Sequence, residues 1–175
     1  MGSPDRSLSD DGAITVTGPL KGYFFGFVFD QDGREGRGIA GFAFPDLGIL
    51  FKCIYKKPLY ECQYEGLLAL LSFTDEYPEI FEDLELEIFT DSVMVNFHMN
   101  HDRSMSGELK KYRDKAFNYR KKIKYKIGWV PSHENRAIAG YEDMITTGRD
   151  VDLKIDRSQL MNKTSSLTDQ SDPSE

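Results

Sequence analysis

The stretch Leu84-Glu85-Leu86-Glu87-Ile88-Phe89-Thr90-Asp91-Ser92 decides the fold. Leu84, Leu86 and Ile88 alternate with Glu85, Glu87 and Phe89, which is the two-residue period of a strand over 84–90. A segment of helical period precedes it. Tyr60, Tyr64, Leu67, Leu68 and Leu71 recur as one inward stripe, Pro58 suits the first turn, and Tyr77-Pro78 closes the helix. A strand that returns after a helix lies parallel to an earlier strand. Asp91-Ser92 then opens another helix, with Asp91 suited to its N-cap.

Upstream, residues 22–30 (GYFFGFVFD) form an aromatic run fitting a strand buried on both faces. A turn at 31–36 leads to strands at 38–44 and 49–55, and links this short make an antiparallel meander. Downstream come a basic helix over about 107–123, a fifth strand at 125–130 and a final helix over about 134–147. The order βββ-α-β-α(α)-β-α predicts an α/β fold: a mixed five-stranded sheet, three antiparallel strands then two parallel, with helices on both faces. Residues 1–19 and 151–175 are polar and read as flexible tails around one domain at 20–150.

At 39% hydrophobic and 13% aromatic, 175 residues can build one real core. The net charge of −7 disfavours a nucleic-acid binder taken as a whole. The bases, however, crowd into residues 110–126, and a ligand meets one face only. Cys53 and Cys62 show neither metal-ligand spacing nor a disulfide framework, so a reducing, cytoplasmic setting is expected. No apolar run approaches membrane-spanning length, and no signal peptide is evident. A monomer is the expected state.

Asp30 closes the first strand and Asp91 the fourth. If these strands are neighbours, both acids reach one sheet edge, where open α/β sheets bind ligands. Glu65 on the first helix and Asp143 on the last could join them. Four carboxylates repel one another unless divalent cations hold them. Two Mg²⁺ ions roughly 3.5–4 Å apart would suit phosphodiester hydrolysis, with Mn²⁺ as a substitute.

The segments Gln63-Tyr64-Glu65-Gly66-Leu67-Leu68-Ala69-Leu70-Leu71, Phe89-Thr90-Asp91-Ser92 and Trp129-Val130-Pro131-Ser132-His133 carry a resemblance. Over about residues 22–148 the chain resembles type I ribonuclease H and the related domains of reverse transcriptases. The resemblance implies a Mg²⁺-dependent endonuclease that cuts the RNA strand of an RNA/DNA hybrid. Asp30, Glu65, Asp91 and Asp143 would be its metal ligands and catalytic acids, and His133 a mobile helper in proton transfer or product release. Asp32 is an alternative to Asp30. Ser132 stands where the family has glycine. Lys110, Lys111, Arg113, Lys115, Lys121 and Lys122 are candidates for holding the nucleic-acid backbone. Irregular first and last acidic motifs leave a second reading open: a non-catalytic binding or assembly module on the same fold.

Overall fold

The computed structural model describes residues 18–30, 36–101, 103–156 and 158, with Asp30 described by its backbone. The first 17 residues, the 31–35 part of the expected turn (Asp32 included) and most of the expected C-terminal tail lie outside the described residues. The strands are β1 (Leu20–Asp30), β2 (Arg37–Phe44), β3 (Ile49–Lys56), β4 (Leu86–Thr90), β5 (Tyr125–Trp129) and β6 (Val151–Ile155). The helices are α1 (Leu59–Glu76), α2 (Pro78–Phe81), α3 (Val93–Asn100), α4 (Glu108–Tyr119) and α5 (Tyr141–Thr147).

The sheet order is β5-β4-β1-β2-β3-β6. β1, β2 and β3 form the expected antiparallel meander, and β4 and β5 run parallel to β1 and to each other. Three expectations need correction. Residues 151–155 are not tail but form β6, antiparallel to β3; Val151, Leu153 and Ile155 alternate with Asp152 and Lys154 as a strand requires. The final helix begins at Tyr141 rather than 134, because Gly140 takes a left-handed conformation and only a single 3-10 turn, Ser132–Glu134, precedes it. The inward stripe of α1 is Cys62, Tyr64, Leu67, Leu70 and Leu71, while Tyr60 is exposed.

Helices cover both faces. α1, α3 and α4 pack on one, where Phe24, Phe42, Phe44, Leu86, Ile88 and Ile127 meet Tyr64, Leu67, Leu70, Val95, Met99 and Ala116. α5 and the loop before it pack on the other, over Phe25, Ile39 and Ala43. No helix among the described residues is long and apolar enough to cross a membrane.

The contact of α1 with β1 is backbone on backbone. A Cβ on Gly66 would lie 2.4 Å from Phe25 O, and one on Gly26 would lie 2.5 Å from the Cys62 carbonyl. Neither strand nor helix backbone can yield as a side chain can. Gly66→Ala is therefore expected to destabilise the protein by about 1–3 kcal/mol through overpacking, despite the better helix propensity of alanine. Urea unfolding of the variant beside Ser72→Ala, at a half-buried position of the same helix, measures this.

Candidate functional site

β1 and β4 pair in register up to Phe24 beside Thr90. The next residues are therefore Phe25 and Asp91, abreast where the two strands part. Phe25 is 2% exposed and packs with Ile39, Ala43, Ala137 and Met144 under α5. It occupies the place on β1 from which an acid could share a ligand with Asp91.

Asp91 is held by neutral donors. Ser132 Oγ donates to Asp91 Oδ2 at 2.8 Å, and Asn135 Nδ2 donates to Oδ1 at 2.8 Å. The same Asn135 amide also donates to Phe24 O at 2.9 Å, and its Oδ1 accepts from Ala137 N–H at 3.1 Å. Asn135 is 5% exposed, so these bonds are made out of water. Trp129 Nε1 donates to Asp91 O at 3.3 Å. The N-cap of α3 is Ser92 rather than the expected Asp91: its Oγ accepts from Val95 N–H at 3.1 Å and donates to Gln63 Oε1 at 2.7 Å.

The other predicted acids are not brought to Asp91. Asp30 pairs with Arg37 at the far end of β1, five residues beyond Phe25 and so about 16 Å further along at ~3.3 Å per residue. Glu65 is two residues after Gln63 on α1, and a helix turns about 200° over two residues. Gln63 touches Ser92, so Glu65 faces the opposite way, where Lys57 Nζ meets it at 2.5 Å. Lys57 also donates to Tyr112 Oη at 2.8 Å. Burial opposes the charge on Lys57, but the hydrogen bonds to Glu65 and Tyr112 outweigh it and raise its pKa. Asp143 is exposed on α5, and its field acts on Lys52 of β3. His133 is exposed, 3.8 Å from Glu134 Oε1.

Solved structures share this arrangement of strands and helices. Ribonuclease H1 of the halophilic archaeon Halobacterium salinarum NRC-1 matches with a TM-score of 0.54 at 20% identity, over 69% of this chain and 91% of that one. The fold is that of ribonuclease H. LC11-RNase H1, from compost and solved in complex with an RNA/DNA hybrid, matches with a TM-score of 0.51 at 14% identity, over 66% of this chain and 88% of that one. LC9-RNase H1, a type 1 RNase H with the type 2 active-site motif, gives 0.52 at 13% identity, over 81% and 80%. No family model and no curated protein matches the sequence.

On this ribonuclease H fold the residues present do not fit a pair of Mg²⁺ ions. Among the described residues no three His, Cys, Asp or Glu side chains converge. Hard cations need several oxygen ligands together, and Asp91 has a phenylalanine beside it.

The basic region is also partly spoken for. Lys110 pairs with Asp114, Lys111 with Glu108 at 2.9 Å, and Lys122 with Asp75 at 3.0 Å. Arg113 is buried and donates to Arg103 O at 2.7 Å, so it caps the chain after α3 rather than facing a ligand. Of the six bases singled out in the sequence, Lys115 and Lys121 have side chains with neither an ion pair nor a hydrogen bond among the described residues.

Sequence reasoning missed Phe25, Asn135 and Lys52. Lys52 is 1% exposed on the α5 face, in one cross-strand row with Gly41 and Phe25 and opposite Asp152. Burial lowers its pKa to about 8, against the raising effect of Asp152 and Asp143. The folded state thus releases this proton before the unfolded chain does, and the contribution of Lys52 to stability should rise as pH climbs from about 8 towards 10.5, against the opposite contribution of the buried Cys62 thiol above pH 9. Lys52→Met should remove that contribution, which the difference between variant and wild type in chemical unfolding at pH 7, 8.5 and 10 reads. Asn135→Ala is expected to lose about 2–3 kcal/mol, as it strips hydrogen bonds from a carboxylate and a buried carbonyl; Ser132→Ala, at a more exposed site, should lose less in the same assay.

Proposed function

We propose that this chain is a ribonuclease H-like nucleic-acid-binding module that does not cleave phosphodiesters by two-metal chemistry. The observation that carries the proposal is Phe25 abreast of Asp91. A phenyl ring offers a hard cation no oxygen, and Asp91 already accepts one hydrogen bond on each oxygen. Glu65 is occupied by Lys57 and faces away, so it cannot replace the missing ligand.

Binding has support of its own. Residues 108–126 hold nine Lys or Arg against two acids. Exposed ion pairs such as Lys111–Glu108 are weak and salt-screened, so a phosphate backbone can compete for these bases. Lys115 and Lys121 need no such exchange. That LC11-RNase H1 is solved with an RNA/DNA hybrid supports the hybrid as first candidate ligand, read by its A-form-like shape and 2′-hydroxyls with little base readout. The metal-dependent nuclease reading keeps one point in its favour: Asp91, Trp129 and Ser132 do gather at a single sheet end.

Fluorescence anisotropy with labelled RNA/DNA hybrid, RNA duplex, DNA duplex and single strands separates the two. The expected result is binding that weakens with salt, with no cleavage in Mg²⁺ or Mn²⁺ and the same affinity in Asp91→Asn. Lys115→Glu combined with Lys121→Glu should flatten the salt dependence, by about 0.9 in slope for each duplex phosphate that is no longer neutralised. Metal-dependent cleavage that disappears in Asp91→Asn would replace the module by the nuclease. Failure to bind any of these nucleic acids at low salt would remove both.

A further inference from the structure

β6 is the outermost strand beside β3, and its other edge is unpaired among the described residues. Ile54 N–H donates to Asp150 O and Asp156 N–H to Gly48 O, each at 2.8 Å. In an antiparallel ladder the direction alternates, so residues 150, 152, 154 and 156 turn their peptide groups towards β3. Val151, Leu153 and Ile155 turn theirs outward. The side chains of these three share the sheet face of α1, since Leu153 is in register with Phe51, and that row continues inward through Phe42 to Phe24. They nevertheless remain 57%, 49% and 40% exposed. An apolar strand with a free edge is a template for another strand.

The sequence Val151-Asp152-Leu153-Lys154-Ile155 is complementary to itself when reversed. We propose that two copies of this chain pair antiparallel through β6, about a two-fold axis at Leu153. Each outward N–H and C=O then finds a partner, in about six hydrogen bonds between residues 153 and 153, 151 and 155, and 155 and 151. Asp152 of each copy falls directly opposite Lys154 of the other, at the non-hydrogen-bonded positions where side chains lie closest. Asp152 and Lys154 are 3.5 Å apart within one strand, so pairing closes a ring of four alternating charges. On the other face Val151, Leu153 and Ile155 of both copies merge into one apolar strip. Parallel pairing would instead set Asp152 against Asp152 and Lys154 against Lys154, which like-charge repulsion disfavours. Charge complementarity thus selects a second copy as the occupant, in this register. The two six-stranded sheets become one continuous sheet.

Sedimentation velocity of the full chain over a wide concentration range is expected to show a monomer–dimer equilibrium. Leu153→Pro deletes an outward N–H that β3 does not use, so it should give a monomer with unchanged circular dichroism. Lys154→Glu exchanges two attractions for two repulsions and should weaken association about tenfold or more. Leu153→Cys should oxidise to a covalent dimer, because Cα atoms of a hydrogen-bonded antiparallel pair lie about 5.5 Å apart, within disulfide reach. Val151→Cys, whose counterpart is four residues out of register, should cross-link no more than wild type with its native Cys53. A wild-type chain that stays monomeric throughout, including one whose strip is covered by its own residues, overturns the proposal. So does a Leu153→Pro variant that dimerises like wild type, or equal cross-linking at 151 and 153.

Discussion

The molecule depends on how closely α1 lies on β1 and β2. Gly26 and Gly66 remove the two Cβ atoms that would hold helix and strand apart, and what meets there is peptide against peptide. Such a contact leaves no slack for the helix to rotate. It buries Tyr64, Leu67, Leu70 and Leu71 in the main core, and it also sets the azimuth of every other α1 residue. Gln63 is directed to the mouth of α3, and Glu65 to Lys57, which also donates to Tyr112. A constraint that serves packing therefore decides which polar side chain meets the end of β4.

The end of β4 is a place where two parallel strands diverge and an opening must be closed. Asn135 closes it, with one amide bridging the Phe24 carbonyl of β1 and the carboxylate that follows β4. Phe25 fills the space on the α5 face. Neutral donors satisfy Asp91 without another charge, and so the self-repulsion that a cluster of acids would carry never arises. The buried cation on this face is Lys52, in the same cross-strand row as Phe25 on the far side of Gly41. This face thus carries Asp91 at one end and, towards the other, a desolvated amine opposite Asp152.

Much of the fold is legible in the sequence because it rests on periodicity. The alternation through Ile88 and the helical stripe through Leu71 lead to the parallel β4 and to its place beside β1. Thr90-Asp91-Ser92 and Trp129-Val130-Pro131-Ser132-His133, both singled out in the sequence, meet through Ser132 and Trp129 on Asp91. The composition of the site is less legible, since it turns on single-residue registers. Asp30 is the acid that draws attention in the first strand, yet the residue abreast of Asp91 is Phe25, and only the pairing of Phe24 with Thr90 reveals it. Glu65 carries the charge, but the helical angle gives the contact to Gln63. β6 has a clear two-residue period that its polar surroundings hide. α5 starts late because one left-handed glycine interrupts what composition alone would extend.

Trp129 is the one tryptophan in the chain. Its indole is about half exposed and tied to the Asp91 carbonyl. Tryptophan emission, excited where the tyrosines do not absorb, therefore reports on the strand ends around Asp91. Any molecule that settles there will change its quenching or wavelength, and an unlabelled ligand can be followed by light without altering the protein.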